Sequence, residues 1–351
     1  MRGSGTGYND SFMRKLLIVI VLFLAVTLVT FRFSELQEVL QTLQQADAWF
    51  VALAILIQAG WLVALGLMFQ SIYGLLGLRE SMERLTQLVA AGCFVGVIAP
   101  SAGFGGLAIF MADGHERGHA SGKVTVAGAL YALLDQAAFL CVLAVGIVIL
   151  IRRNNLDAAE VGASLILLAT AGFIAFLLYL AYRSPLALAN VLARLAHIIN
   201  AILRPILRHA YLSEERAHTF AADVSEGLSS VPARPTSLIR PFGLGLASKV
   251  LLMGVLTCSF LSFGIPFTAG TIVGGFAIAY LFVIVSPTPS GVGVVEGLMA
   301  VGLKTLGVDF SQAVVITLMY RGITFWLPLA VGAGALRSLH LGAQRTSQAN
   351  T

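Results

Sequence analysis

Between Lys249 and Glu296 the chain carries no charged side chain, and this run ends in a stretch that no helix can cross intact: Ser286-Pro287-Thr288-Pro289-Ser290-Gly291-Val292-Gly293. Proline lacks the amide hydrogen and clashes with the preceding turn, and it drives the residue before it out of the helical region. Backbone broken at membrane depth must be buried in protein or face a watery cavity. An interrupted apolar segment with a lone carboxylate, Glu296, therefore has the pattern of a transporter substrate site.

Composition agrees with a bilayer as the solvent. The chain is 58% hydrophobic and 11% charged, against about 25% charged in soluble domains. This predicts an all-α polytopic membrane protein with roughly seven or eight transmembrane helices. The net charge of +5 fits cytoplasmic loops and anionic lipid surfaces rather than nucleic acid. Cys93, Cys141 and Cys258 all lie in apolar segments at no metal-like spacing, and they read as packing residues.

Charges divide the chain. Residues 1–14 read as a disordered tail or an expression remnant, with Met13 a candidate natural start. Residues 15–182 form an N-terminal membrane half with spans at 16–31, 48–78, 124–151 and 161–182. Arg14 and Lys15 place its start in the cytoplasm, as in a bacterial-type inner membrane. Residues 183–240 are rich in arginine and predicted to be cytoplasmic or interfacial. Within them Asn190, Arg194, His197, Asn200, Arg204 and Arg208 recur at helical spacing. They suit either an amphipathic helix on anionic headgroups or a solvated extension of the bundle. Positions 213–231 read as a soluble helix. Residues 241–338 form the C-terminal membrane half, with spans at 241–263, 267–286 and 310–336, and 339–351 form a tail.

The segment 85–112 is charge-free but broken at Ala99-Pro100-Ser101-Ala102-Gly103-Phe104-Gly105-Gly106. Keeping 183–240 cytoplasmic requires that it enter and leave on one side, as a re-entrant helical pair. For the broken segment 287–303 crossing and re-entry both remain open, and with them the side of the C-terminus. The two breaks look related: Ala99-Pro100-Ser101 and Thr288-Pro289-Ser290 are offset by 189 residues, as are Tyr131 and Tyr320. Gly103, Gly105 and Gly106 answer Gly291 and Gly293. Two related halves, inverted or not, and a chance match of apolar sequence both account for this.

Four ionisable residues fall inside apolar segments: Asp135, Lys249, Glu296 and Arg321. An uncompensated charge there costs at least about 2.5–3.5 kcal/mol, so opposite signs should pair. Arg321 with Glu296 or with Asp135 are the candidate pairs; holding helices in register is the structural alternative. Lys249 and Lys304 read as snorkelling amines near span ends. Ser290 to Gly293 could present free amides at the start of the helix holding Glu296, a site for an anion such as phosphate. Close helix packing is the other use of such glycines.

The run Pro287 to Gly297 resembles the Pro-x-Pro-Gly-Gly-x-Gly-x-x-Glu-Gly signature of the flippase-like family of the lysylphosphatidylglycerol synthase transmembrane domain. Tyr320-Arg321-Gly322-Ile323-Thr324-Phe325-Trp326-Leu327-Pro328 is similar to the Tyr-Arg-x-x-Thr-x-Trp-Leu-Pro span that follows it. Pro100 to Gly106, Tyr131 and Asp135 match the layout of its first half. Ser290 departs from the pattern, standing at the first glycine position. The resemblance implies a membrane domain that moves lipids between leaflets. In some relatives it is fused to a cytoplasmic synthase or glycosyltransferase. With the chain ending at Thr351, transport alone is the expectation.

The site expected is thus a polar cavity lined by Pro100, Ser101, Gly103, Gly105, Gly106, Pro287, Pro289, Ser290, Gly291 and Gly293, with Tyr131 and Tyr320 nearby. Arg321 would hold phosphate, and Glu296 and Asp135 would balance charge or bind an amine. The partners are membrane lipids with anionic or amine-bearing headgroups, and a separate lipid-modifying enzyme is a further one. No catalytic residue, metal or cofactor is expected; the cluster Asp113, His115, Glu116 and His119 has only a generic metal-like spacing. The competing reading is a non-transporting membrane subunit that supports a separate lipid synthase or glycosyltransferase.

Overall fold

The computed structural model describes residues 45–98, 105–152, 235–286 and 289–349, with further positions between 169 and 194 and at 222, 224 and 225. The chain separates into two compact units, Met1–Ala46 and Asp47–Thr351. Every element below belongs to the second, and it is an all-α polytopic membrane fold. Among the described residues four helices are long and apolar enough to cross a membrane: Ala48–Leu75, Ser121–Gly146, Thr236–Ser262 and Phe310–Leu339. The expected first span, 16–31, and the Pro100–Phe104 break lie outside the described residues, as do most of 153–234, including the basic amphipathic helix beyond Arg194.

The first half begins with α1 (Ala48–Leu75), whose N-terminus is capped by the Asp47 carboxylate accepting from the Trp49 amide at 2.8 Å. Helices α2 (Met82–Ile98) and α3 (Gly105–Glu116) follow. At 1.5 Å per residue they measure about 25 and 18 Å, too short for a hydrocarbon layer of about 30 Å. They fold into an antiparallel hairpin. Arg84 near the start of α2 is ion-paired with Asp113 near the end of α3. Higher up, a Cβ on Gly92 would sit 3.4 Å from the Gly106 backbone. Both outer ends thus share one side, as the re-entrant reading of 85–112 requires. Helix α4 (Ser121–Arg152) is the long span that follows.

The second half repeats this plan. Helix α5 (Ile239–Ser262) corresponds to α1, α6 (Ala269–Val285) to α2, and α7 (Val294–Thr305) to α3. Helix α8 (Phe310–Arg321), a π-helical turn at Gly322–Trp326 and α9 (Leu327–Ala349) correspond to α4. Helices α2 and α6 both have 17 residues, and α3 and α7 both have 12. The stops match too. Gly77 and Gly264 end α1 and α5 at positive φ, closed by Leu78 N–H to Tyr73 O and Ile265 N–H to Phe260 O. Gly118 and Gly307 stand at the same place in the turns after α3 and α7.

The repeat is inverted. Helices α1 and α5 pack antiparallel: the Asp47 amide donates to Ser262 O at 2.8 Å, Ile57 meets Gly254, and Met68 meets Gly245. The halves also exchange partners. Gly332 of α9 lies on Ala90 of α2, and Gly146 of α4 lies on Ala277 of α6. Two apolar cores form, one around Leu65, Met68 and Leu88, the other around Phe260, Phe276 and Met299, and the second also takes in Ala54, Phe139, Val142 and Leu143 of the first half.

This arrangement corrects one expectation. Residues 267–286 are not a crossing followed by a separate broken segment. Helix α6 is one arm of a second hairpin, pairing with α7 through Gly275 against Leu303 and Gly302 against Ile278. It is started by a capping box, the Thr268 hydroxyl accepting from the Thr271 amide at 3.1 Å. It stops at Ser286 after about 25 Å of rise.

Candidate functional site

The second hairpin turns over through a left-handed backbone. After Pro289 opens a short 3-10 turn, Ser290, Gly291 and Gly293 have φ of 51°, 74° and 82°. Ser290 is the only non-glycine at positive φ among the described residues. A glycine would hold that conformation without steric cost. A Cβ on Gly291 would also come 2.3 Å from Val295 Cγ2 and 3.3 Å from Val283 Cα, so the chain reverses there only without a side chain.

Glu296, in the first turn of α7, binds this reversal from two directions. Its Oε2 accepts from the Gly293 amide at 2.7 Å, and its Oε1 accepts from Arg321 Nε at 2.8 Å. Arg321 Nη2 donates to Ser290 O at 3.0 Å, and the guanidinium lies 4.6 Å from the centre of the Phe325 ring. With 5% of its surface exposed, Arg321 is a buried charge paired with a carboxylate and a backbone carbonyl. Of the two candidate partners for Arg321, the structure selects Glu296. The free-amide expectation is revised at one position: the Gly293 N–H is already taken by the carboxylate of its own helix.

Asp135 pairs elsewhere. Its Oδ1 accepts from Lys249 Nζ at 2.6 Å and its Oδ2 accepts from the Tyr280 hydroxyl at 2.9 Å. Lys249 also donates to the Tyr280 oxygen at 2.6 Å and lies 4.3 Å from the centre of that ring. The three side chains close a ring that joins α4 of one half to α5 and α6 of the other. Lys249 is 1% exposed. It stands about 15 Å from the start of α5, beyond the reach of a four-carbon stem, so the snorkelling reading fails for it. Sequence reasoning set Lys249 aside as a snorkelling amine and missed Tyr280. The signal for Lys249 was its distance from both ends of an unbroken apolar helix, not its distance from the nearest charge.

Tyr131 stacks on Phe69 with ring centres 4.4 Å apart, and Phe69 stacks in turn on Phe110. Tyr320 is buried one residue before Arg321. Tyr131 also stands one helical turn before Asp135 on α4. Gly105 and Gly106 open α3. Pro100, Ser101, Gly103 and Pro287 fall outside the described residues.

A third polar group sits at the mouth of the first hairpin. Glu80 accepts from Arg117 at 3.2 Å and is 2.9 Å from His119 Nε2, and Arg84 pairs with Asp113. Beside them a cleft of about 530 Å³ is lined by Gln70, Gly74, Leu78, Arg79, Glu80, Ser81 and Arg117. Asp113 thus ties α3 to α2 through Arg84, and His119 ties the turn after α3 to the turn before α2 through Glu80. Among the described residues no three His, Cys, Asp or Glu side chains come together as a metal site.

Comparison with known proteins supplies a family. The model described as the lysylphosphatidylglycerol synthase TM region matches residues 15–332. No curated protein matches the chain.

Proposed function

We propose, from the premise that the chain belongs to the lysylphosphatidylglycerol synthase transmembrane-region family, that it is a lipid translocase. It moves a phospholipid or polyprenyl-phosphate-linked headgroup between leaflets while the tails stay in hydrocarbon. The observation that carries this reading is the Arg321–Glu296 pair at the break of the second hairpin. A buried ion pair is an expensive way to hold helices together. An arginine held by one carboxylate and one carbonyl can exchange them for phosphate oxygens, which it binds strongly and directionally. Glu296 keeps the Gly293 amide during that exchange.

The inverted hairpins supply the motion. Each is shorter than the bilayer and leans on a long helix of the other half, α2 on α9 and α6 on α4. Rocking one half against the other opens the breaks to one side and then the other. The protein acts by binding and release and makes or breaks no covalent bond. We place it in a bacterial-type inner membrane with Arg14, Lys15 and the Glu80–Arg117 mouth on the cytoplasmic side. The second hairpin then opens on the outer side, and α9 returns the C-terminal tail to the inside. Membrane lipids with anionic or amine-bearing headgroups are the partners, together with a separate enzyme that makes them.

The test is movement of a fluorescent anionic phospholipid in liposomes holding the purified full chain. Arg321→Ala and Glu296→Gln are expected to abolish it while the protein stays folded by thermal unfolding in detergent. Unchanged transport in both variants removes their assigned roles. Wild-type protein that moves no lipid favours a subunit that only supports a separate enzyme.

A further inference from the structure

The ring formed by Asp135, Lys249 and Tyr280 is separate from the Arg321–Glu296 pair, and with its carboxylate held by Lys249 and Tyr280, Asp135 does not have the headgroup-binding task expected of it. Its position is particular. It ties α4 of the first half to α5 and α6 of the second, so the halves cannot rock without stretching or breaking it. It also lies at the middle of three apolar helices, where a charge pair costs more than an apolar contact of the same shape. Helix α6 is an arm of the second hairpin, whose far end leads into the Ser290–Gly293 reversal and Glu296. Tyr280, which donates to Asp135, thus lies on the helix that leads to the headgroup site.

Few other ionisable groups compete for a proton here. Tyr131 on α4 and Tyr320 on α8 are within electrostatic range, with Cys93 of α2 next to Tyr131 and Arg321 next to Tyr320. Arg321 is occupied by Glu296. Helix α1, which packs on α5 and α4, has no titratable side chain between Asp47 and Tyr73.

We infer that Asp135 is the proton-carrying residue of an ion-coupled cycle, with Lys249 and Tyr280 as its positioning residues; the inference rests on the translocation reading. In the resting state the carboxylate accepts from the ammonium and the phenol. One proton from hydronium on one side bonds to a carboxylate oxygen of Asp135, giving a carboxylic acid and leaving water. Lys249 and Tyr280 keep their own protons. The acid no longer attracts the ammonium, the tie between the halves loosens, and α6 is free to move with its hairpin. Release of the same proton to water on the other side restores the carboxylate and closes the ring. One proton crosses per headgroup moved, and no nucleotide is consumed.

The experiment uses the full chain in liposomes loaded with a pH-sensitive dye, with the membrane potential clamped by potassium and valinomycin and a fluorescent phosphatidylglycerol as probe. One proton per lipid means that each unit of pH difference shifts the steady-state ratio of probe between leaflets about tenfold. The dye should report proton entry that needs the probe. Asp135→Asn should return the ratio to that without a gradient, and Tyr280→Phe, which leaves the ion pair intact, should weaken the response if Asp135→Asn fails to fold. A wild-type ratio that ignores the gradient overturns the proton role and leaves translocation standing. A gradient response that survives in Asp135→Asn also overturns it. Wild-type protein that moves no probe overturns both readings.

Discussion

Gly332 of α9 lies so close to Ala90 of α2 that a Cβ at Gly332 would stand 2.2 Å from the Ala90 carbonyl oxygen. The last span of one half thus touches the broken hairpin of the other with bare backbone. Small residues permit such approach where apolar side chains gain nothing over lipid. Gly332→Val forces the two helices apart and is expected to cost about 1–3 kcal/mol or more. Gly334→Val, where nothing lies within 4 Å, is the control. Thermal unfolding in detergent compares them, and equal losses would show that the contact is not tight.

Lys249 and Asp135 answer to the same measurement. Removing one partner leaves the other charge buried and alone, so Lys249→Met should cost about 3–5 kcal/mol. The double variant Lys249→Met with Asp135→Asn removes both charges and should recover most of that loss. A double variant as unstable as the single one would mean that the ring, not the charge, carries the stability.

Much of this architecture is written in the chain. The Pro100 and Pro289 breaks mark the two hairpins, and the 189-residue offset of Tyr131 and Tyr320 marks the repeat. Hydropathy was blind to depth. An apolar arm such as α6, which turns back at Ser286, reads like a span that crosses. Lys249 reads as a span-end residue because the helix start at Ile239 is hidden in an arginine-rich stretch. Partners are less legible still. Arg321 could have taken either of two acids, and only the packing of α4 on α5 gave Asp135 to Lys249. Glu296 was read for its charge, whereas its position three residues after Gly293 also makes it the cap of its own helix.

Ser290 offers a gain. It holds φ of 51°, a conformation costing a residue with a Cβ about 1–2 kcal/mol that glycine avoids. Part of that is returned as added freedom of the unfolded chain, so Ser290→Gly should stabilise by about 0.5–1 kcal/mol. Gly291→Ala adds a Cβ at φ of 74° and against Val295 and Val283, and should destabilise by about 1–3 kcal/mol. The two shifts have opposite sign on one thermal unfolding assay. A loss from Ser290→Gly would mean that the hydroxyl contributes more than the backbone strain costs.

Inversion of the halves has a consequence for labelling. His115, exposed at the end of α3, lies at the mouth of the first hairpin, and Asp309, exposed in the turn after α7, lies at the mouth of the second. Helices α1 and α5 run antiparallel, so the two mouths face opposite sides of the membrane. In a background without Cys93, Cys141 and Cys258, His115→Cys and Asp309→Cys should react with an impermeant thiol reagent from opposite sides of sealed vesicles. Each should be silent from the other side. Both residues labelling from one side would require the hairpins to open together, and the two halves would then be parallel rather than inverted.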